Sequence, residues 1–419
     1  MKEEVTHHVE VIVNESWKQA CDKIEISIVM PSYNKYPLNL ISLLSIENQT
    51  YDFTKFEVLL IDDASTDETN KKLTTYQTPF PFKYVRLNSN LGRAKARNLG
   101  ITMAKGKLII FLDAEMIVEP NFIEQHVSEH KNNNKAVVTG ACHLKNVYTT
   151  IYPQFTKKQF ASIKRLSTNI PTLKRRYMNY VSLKKSLQGR PGVLYTKEDI
   201  RKKRFTLMSV DHHYFANEIV EQYGEEFNGF YFPWMAFLTG NVSFRKDFIK
   251  EVGMFDEEFV LYGYEDWELG YRLYKAGAIF KAKKELATYH QEHPISENKW
   301  NEAVINYDRF TKKHPDFDVY VQGLEIARIV NLHEMNKVAK EYNDLTKNHP
   351  HQFESFKKGL WRILETTAML LRFDIGHKFL FEATGIDSLE RRNIKKDLQA
   401  MKRLKKYRHL VRLFEKKIQ

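Results

Sequence analysis

The chain has 419 residues, of which 42% are hydrophobic and 13% aromatic, so it can bury a sizeable core. This length predicts two or three domains. No apolar run approaches the roughly 18–20 residues of a membrane span, and the acidic N-terminal segment lacks the apolar core of a signal peptide. The two cysteines, Cys21 and Cys142, are too few for a disulfide framework or a zinc site. We therefore expect a cytoplasmic protein whose cysteines are small buried side chains.

The net charge of +13 is concentrated in two segments. Residues 157–204 carry fifteen Lys/Arg and two acids, and residues 391–419 carry twelve Lys/Arg and two acids. The remainder of the chain is therefore acidic. No recognisable nucleic-acid-binding motif accompanies the basic segments, so we expect no nucleic-acid partner.

The first part of the chain alternates short apolar runs with helical patterns, which predicts an α/β fold. The predicted strands are 26–30, 58–61, 84–87 and 108–112, and the predicted helices are 38–47 and 92–104. A basic, aromatic stretch over 143–235 interrupts this pattern, which resumes at 237–244 with a helix at 265–276 and a strand at 279–282. From residue 301 onward the pattern is helical.

Asp113 and Glu115 follow the predicted strand at 108–112. Two carboxylates one residue apart at a strand end can share a divalent cation that binds phosphate oxygens, and a hard ion such as Mn²⁺ or Mg²⁺ suits them. An acidic turn that caps a helix is the alternative, and an isolated pair of this kind favours it. His290, at the end of a short predicted strand, could complete a metal site, with His293 as a rival and a structural histidine as the alternative.

Two further groups are candidates for binding a nucleotide. Asp63 ends the second predicted strand and could accept hydrogen bonds from a base or a ribose, whereas Asp67 could do the same or cap the next helix. Arg93 and Arg97 lie four residues apart at a predicted helix start, where guanidinium groups suit phosphates. A solvated basic face is the alternative for both arginines.

Glu265 and Asp266 begin an amphipathic helix in the run GYEDWELGYRLYKAG. A carboxylate held at a helix start beside aromatic side chains is rigid and partly desolvated, as a general base should be. Acidic residues are also common in first helical turns for electrostatic reasons, which is the alternative interpretation.

Five motifs together resemble family-2 glycosyltransferases with the GT-A fold. They are PSYN at 31–34, IDDASTD at 61–67, NLGRAKARNLGI at 90–101, LDAE at 112–115 and YGYEDWELGYRL at 262–273. The segment 239–266 resembles the second half of galactosyl- and N-acetylgalactosaminyl-type transferases, and YHQE at 289–292 resembles bacterial chondroitin-type polymerases. The resemblance covers roughly residues 24–300, except the insert.

The resemblance implies a metal-dependent inverting transfer from a nucleotide-sugar donor, usually a UDP-sugar. Asp266, with Glu265 beside it, matches the catalytic base. Asp113, Glu115 and His290 match the metal motif, with Glu115 where Asp is commoner. The implied donor-binding residues are Pro31, Tyr33, Asn34, Asp63, Asp67, Arg93 and Asp113. The Q-x-x-R-W sequence of processive cellulose-type members is absent, which favours transfer of single sugars to a discrete acceptor.

These patterns predict three regions: an N-terminal arm at 1–23, a GT-A catalytic domain at 24–300 and a helical region at 301–419. The basic insert at 145–235 lies where acceptor-side loops are expected and predicts an anionic glycan, lipid-linked or polymer acceptor, although a solvated helical lid is the safer interpretation. In the tail, apolar residues from Ile394 to Ile418 predict one helical stripe. This stripe could lie on an anionic membrane, pack on neighbouring helices or pair with a second subunit.

Three other functions remain open at this point. A non-catalytic basic adaptor for anionic polymer, lipid or RNA would explain the two basic segments. A glycosyltransferase acting on a peptide would use the same donor site. A nucleotidyltransferase is weaker, because PSYNKYP stands where such enzymes usually have a glycine-rich basic loop.

Overall fold

The computed structural model describes residues 9–20, 22–183, 189–211, 216–294, 297–376 and 379–417. Cys21 and Ile418 lie outside these residues. The strands are β1 (Val9–Val13), β2 (Ile26–Ser32), β3 (Phe56–Asp62), β4 (Phe82–Leu87), β5 (Leu108–Leu112), β6 (Met116–Ile117), β7 (Ala136–Thr139), β8 (Lys145–Val147), β9 (Thr150–Ile151), β10 (Gly192–Val193), β11 (Ser209–Asp211), β12 (Asn241–Arg245), β13 (Ile279–Ala282) and β14 (Tyr289–Gln291).

The helices fall into two groups along the chain. Those up to residue 275 are α1 (Glu15–Ala20), α2 (Leu38–Ile46), α3 (Thr69–Leu73), α4 (Arg93–Met103), α5 (Phe122–Glu129), α6 (Lys157–Ser167), α7 (Pro171–Leu183), α8 (Lys197–Arg201), α9 (Glu221–Tyr223), α10 (Lys246–Val252) and α11 (Glu265–Lys275). Those that follow are α12 (Lys299–Lys313), α13 (Phe317–Tyr320), α14 (Gln322–Ile326), α15 (Leu332–Asn348), α16 (Glu354–Arg372), α17 (Leu380–Ala383), α18 (Ser388–Leu404) and α19 (Arg408–Arg412).

The chain forms two compact units. The first comprises residues 1–220, 234–260 and 265–297, and the second comprises residues 221–233, 261–264 and 298–419. The domain boundaries predicted from the sequence stay a prediction, but the structure differs from them in two details. The expected N-terminal arm contributes β1 to a sheet, and the end of the insert belongs to the second unit.

The first unit is built on an eight-stranded sheet with the order β1-β4-β3-β2-β5-β12-β7-β13. Strands β4, β3, β2 and β5 are mutually parallel, whereas β12 runs antiparallel to β5 and β7. Every residue of β3 and β5 is buried, as expected for parallel strands that are covered on both faces. The predicted α/β fold with a helical C-terminal region is confirmed.

Several strands of the structure differ from those predicted from the sequence. β1 and β7 were not predicted, and the strand expected at 237–244 begins only at Asn241. The residues before it form a buried turn at 233–236. A short apolar run such as AVVT at β7 carries no periodicity that separates a strand from a helix.

The insert is a packed structure in its own right. Its helices α6, α7 and α8 and the strands beside them share an apolar cluster, whose buried members are Ile151, Phe155, Ile163, Leu173, Tyr177, Tyr180, Leu194, Tyr195, Ile200, Phe205 and Met208, together with Ile41, Ile117, Val147 and Tyr289. Several basic residues pair with acids of the same unit: Arg176 and Arg204 with Asp199, Lys197 with Glu47, and Lys203 with Glu119. The basic character of the insert is therefore partly neutralised.

The second unit is helical, and the tail packs within it. Lys405 adopts a left-handed conformation that ends α18, so the predicted continuous stripe is broken before α19. Ile394 and Phe414 are buried, and the Phe414 ring centroid lies 4.7 Å from that of Phe356 on α16. Glu341 on α15 accepts hydrogen bonds from the backbone at the start of α19. Most of the described stripe is thus covered by neighbouring helices, one of the three alternatives, whereas Leu404 is 45% exposed. Among the described helices, none combines the length and hydropathy needed to cross a bilayer.

A buried histidine pair makes the stability of the first unit depend on pH. The ring nitrogens of His126 lie 2.8 Å from Ser243 Oγ and 2.9 Å from Asn241 Oδ1, and His130 Nε2 lies 2.7 Å from the same Ser243 Oγ. Burial lowers the pKa of both histidines to about 3. The unfolded chain therefore binds more protons, so stability is present above the unfolded pKa and is lost as pH falls from there towards 3.

Between pH 7 and pH 5, we predict that the free energy of unfolding falls by about 2 kcal/mol less in His126→Gln than in the wild type. The reason is that the unfolded variant no longer has His126 to protonate. Urea unfolding followed by circular dichroism at both pH values measures the difference. The matched control is the exposed His351→Gln, which should behave as the wild type does. Equal losses in the wild type and His126→Gln would contradict the prediction.

Candidate active site

The carboxyl ends of three neighbouring parallel strands bring the candidate residues together. Asn34 follows β2, Asp63 follows β3 and Asp113 follows β5. Parallel strands end at the same edge of a sheet, and this edge is where open α/β sheets bind ligands. The predicted strand-end residues therefore lie on one side of the first unit.

Asp63 holds the loop in front of α4. It is 4% exposed, and its two carboxylate oxygens accept hydrogen bonds from the backbone N–H groups of Leu91 (2.7 Å) and Gly92 (2.9 Å). Gly92 has φ of +88°, a conformation that favours glycine. Burial raises the pKa of Asp63, although these two hydrogen bonds oppose the rise. Asp63 therefore shapes the loop that starts α4.

The loop after β2 is pinned by side-chain hydrogen bonds. Asn34 has φ of +53°, and its Oδ1 accepts from the backbone N–H of Thr66 at 2.7 Å. Asp67 Oδ2 accepts from the N–H of Tyr36 at 2.8 Å, and its Oδ1 accepts from the N–H of Thr69 at 2.9 Å, next to α3. The Tyr33 side chain, in contrast, is 45% exposed. Pro31, one residue before the end of β2, is half-buried.

A buried guanidinium joins residues that are distant in sequence. Arg97, 2% exposed on α4, lies 2.9 Å from Glu265 Oε1 and 3.5 Å from Asp113 Oδ1. Arg97 is therefore not part of a solvated face, and that alternative is wrong. Arg93, four residues earlier, is exposed. Glu265 Oε2 is buried and has no hydrogen-bond partner among the described residues.

Asp266 follows Glu265 at the start of α11. Its Oδ1 accepts from the backbone N–H of Trp267 at 2.9 Å. Burial raises the pKa of Asp266 to about 7, and the charges of Glu265 and Asp113 push in the same direction. A carboxyl that titrates near neutral pH is matched to accepting a proton from a substrate hydroxyl.

Close packing fixes the position of α11. A Cβ on Gly270 would lie 2.6 Å from both the backbone oxygen of Trp234 and the Cβ of Phe237, so only glycine fits at this contact. Leu269, Tyr271 and Leu273 are buried. The first turn of α11 is thus held firmly where Glu265 and Asp266 lie.

Three side chains form a candidate metal site. Glu115, His290 and His293 are the group found among the described residues whose ligand atoms all lie within 4.8 Å of one another. Antiparallel pairing of β14 with β6 places His290 opposite Met116, the residue after Glu115. Glu115 Oε1 lies 4.0 Å from His290 Nε2 and 3.2 Å from His293 Nε2. Of the predicted ligands, Glu115 and His290 come together here, whereas Asp113 faces Arg97.

The chemistry of this group suits a transition-metal dication. One carboxylate and two imidazoles form a mixed oxygen and nitrogen set, which fits Mn²⁺ better than Mg²⁺ because Mg²⁺ is usually held by oxygen atoms. Burial alone would raise the pKa of Glu115, but Lys35, His293 and His290 together hold it well below its usual range. Glu115 is therefore ionised, as a metal ligand must be.

Lys35 is a further member of the site, and it was not predicted. Its Nζ lies 2.6 Å from Glu115 Oε1 and 3.0 Å from His293 Nε2. A lysine directly after a strand-end motif was a usable signal, because this edge of the sheet already carried the acidic candidates. The sequence could not show that the Lys35 side chain contacts Glu115 and His293.

Comparisons with known proteins identify the family to which the chain belongs. The family model described as glycosyl transferase family 2 matches residues 27–202, and the model described as the N-terminal domain of galactosyltransferase matches residues 223–293. The chain belongs to the family-2 glycosyltransferases. The predicted likeness of its second half to galactosyl-type transferases is confirmed.

The relatives in this family differ in size. YfnE of Bacillus subtilis, named an uncharacterized glycosyltransferase, is 31% identical over 275 residues, which are 65% of this chain and 66% of YfnE. Hyaluronan synthase of Pasteurella multocida is 28% identical over 70% of this chain and 27% of the synthase. Chondroitin synthase of Escherichia coli is 26% identical over 76% of this chain and 42% of the synthase. The aligned part is thus under half of each of these synthases.

Solved structures of two proteins are similar at low identity. Staphylococcus aureus TarS 1–349 in complex with UDP-GlcNAc has a TM-score of 0.45 and 15% identity, covering 94% of this chain and 91% of that one. The mannosyltransferase PcManGT of Pyrobaculum calidifontis, in complex with GDP-Man and Mn²⁺, has a TM-score of 0.45 and 14% identity, covering 87% of each chain.

We predict that Arg97→Met lowers the free energy of unfolding by about 3–5 kcal/mol, because it leaves the buried Glu265 carboxylate without a counter-charge. Arg93→Met, an exposed arginine on the same helix, should change it by less than about 0.5 kcal/mol. Urea unfolding measures both. The double variant R97M/E265Q should recover much of the loss, and a double variant as unstable as Arg97→Met would contradict the electrostatic explanation.

Proposed function

We propose that this glycosyltransferase moves a single sugar from a UDP-sugar to an acceptor hydroxyl with inversion, and that it depends on Mn²⁺. The observation that carries the proposal is the Arg97 ion-pair cluster. Arg97 pairs with Glu265 and lies 3.5 Å from Asp113, so the carboxylate after β5 and the start of α11 lie at one place. A transferase needs its donor site and its catalytic base close together.

The donor side of the proposal uses the strand-end loops. Asp63 has one hydrogen bond on each oxygen, and a carboxylate oxygen can accept a second, so it can also bind a uracil N–H or a ribose hydroxyl. Asn34 and Asp67 hold their loops in place for this purpose. The exposed Tyr33 ring offers a flat surface to the base, and the exposed Arg93 offers a charge to the phosphates.

Glu115, His290 and His293 would hold the cation. When bound, the ion supplies Lewis-acid stabilisation of the negative charge that develops on the departing diphosphate. Asp113, which is 30% exposed at its side chain, remains available to the donor.

Asp266 is the proposed base. Its Oδ1 accepts a hydrogen bond from the backbone N–H of Trp267, and its Oδ2 is the oxygen proposed to accept the proton of the acceptor hydroxyl. As that proton is transferred, the acceptor oxygen forms a bond to the anomeric carbon and the bond from this carbon to the diphosphate breaks. Glu265 is tied to Arg97, so its part is to position α11 rather than to accept the proton. One displacement of this kind inverts the anomeric centre.

The acceptor is proposed to be anionic, such as a phosphate-bearing or acidic glycan polymer. Helices α6 and α7 present exposed basic side chains with no ion pair among the described residues, namely Lys157, Lys158, Lys164, Arg165, Lys174 and Arg175. Such a surface attracts a polyanion and raises the rate of encounter.

We predict that Asp266→Asn keeps UDP affinity within about twofold but slows release of UDP from the best donor of a UDP-sugar panel by about 10²–10⁴-fold, because the proton acceptor is lost. Calorimetry and a nucleotide-release assay measure the two quantities. In the wild type kcat/KM should fall as pH drops below about 7, because protonation removes the base.

Asp247→Asn is the matched control, because Asp247 is also an acid in the first turn of a helix of the first unit, and it is exposed. It should leave both the rate and the pH profile unchanged. Undiminished UDP release by Asp266→Asn would refute the assignment of the base.

A further inference from the structure

The ammonium group of Lys35 contacts two ligand atoms of the candidate metal site. Its Nζ lies 2.6 Å from Glu115 Oε1 and 3.0 Å from His293 Nε2. Both atoms belong to the proposed ligand group. The lysine side chain is 22% exposed and that of Glu115 is 10% exposed, so the ion pair is largely shielded from water. A cation is therefore already present at this site, supplied by the chain itself.

The backbone on both sides of Lys35 is anchored. The N–H of Asn34 donates to Ser65 Oγ at 2.9 Å, and the N–H of Tyr36 donates to Asp67 Oδ2 at 2.8 Å. Residues that follow β3 thus fix the backbone around Lys35, whereas the four-carbon side chain of Lys35 can rotate. The ammonium group can leave the site without any change in the loop.

The imidazole of His293 indicates why a cation is needed there. Its Nδ1 lies 2.8 Å from the carbonyl oxygen of Pro294, a contact in which Nδ1 must donate. This contact turns Nε2 towards the site, where it lies 3.0 Å from Lys35 Nζ and 3.2 Å from Glu115 Oε1. A single positive charge there contacts both the imidazole and the carboxylate. The ammonium of Lys35 and a divalent cation would use the same two atoms, and like charges repel, so the two exclude each other.

We propose that Lys35 is a built-in competitor for the metal site, which couples metal binding to donor binding. In the free protein its ammonium neutralises Glu115 and lowers the affinity for Mn²⁺. When Mn²⁺ binds, the displaced ammonium becomes available to the diphosphate of the donor, a step that rests on the proposed function. The donor therefore favours the state in which the metal is bound, and by linkage the metal favours the donor by the same factor.

Mn²⁺ binding measured by electron paramagnetic resonance, without nucleotide, tests the competition. Lys35→Met should bind Mn²⁺ at least about fivefold more tightly than the wild type, within the range of typical coupling between sites. Lys107→Met is the matched control, because Lys107 is exposed at the opposite, amino end of β5. It removes the same charge and should leave the affinity unchanged.

Repeating the titration with saturating UDP tests the coupling. UDP should increase the Mn²⁺ affinity of the wild type by a larger factor than that of Lys35→Met. Equal or weaker Mn²⁺ binding by Lys35→Met without nucleotide, or an equal effect of UDP on both proteins, would overturn the proposal.

Glu115→Gln separates failure of this inference from failure of the proposed function. If Glu115→Gln loses Mn²⁺ affinity while Lys35→Met gains none, the metal site stands and only the role of Lys35 is wrong. If Glu115→Gln binds Mn²⁺ as the wild type does, the proposed metal site is wrong and the role of Lys35 fails with it.

Discussion

The ion pair between Arg97 and Glu265 is the interaction on which the proposed site depends. Both side chains are 3% exposed, and Arg97 also lies 3.5 Å from Asp113. Burying a charge is costly unless a counter-charge accompanies it, so neither residue is readily replaced alone. Because Arg97 belongs to α4, Glu265 to α11 and Asp113 to the end of β5, this one guanidinium holds three elements together. Asp266 takes its position from its neighbour Glu265.

The elevated pKa of Asp266 follows from the same arrangement. Its burial at the start of α11 disfavours the charged form, and the nearby carboxylates of Glu265 and Asp113 add to that effect, while Arg97 limits it. Glu115 experiences the opposite balance, because Lys35 and two histidines surround it. Two carboxylates of one site are thus suited to different tasks: one to exchange a proton near neutral pH and one to remain charged.

Much of the fold and of the donor side could be predicted from the sequence. The runs at β2, β3 and β5 are mainly apolar, as buried parallel strands are, and polar residues stand at or directly after the end of each. The ends of such strands point to a ligand site without any further information. The acidic first turn of α11 could be predicted because Glu265 and Asp266 stand at the start of an apolar helical pattern.

The rest depended on tertiary contacts that spacing does not encode. Helical periodicity could not show whether Arg97 faces solvent or the core. Its position depends on Glu265, which lies 168 residues away in the sequence. The same holds for His293, whose distance to Glu115 depends on the pairing of β14 with β6. In the tail, the apolar stripe was predicted and packing on neighbouring helices was one of three alternatives, but the break at Lys405 was not predicted.

The proposed function requires that a cation held by Glu115, His290 and His293 binds together with the diphosphate of the nucleotide donor. Calorimetric titration of UDP with and without Mn²⁺, on the wild type and on Glu115→Gln, tests it most directly. We expect Mn²⁺ to tighten UDP binding to the wild type by about tenfold or more, and we expect this gain to be lost in Glu115→Gln. UDP binding that is the same with and without Mn²⁺, or a gain that Glu115→Gln retains, would contradict it.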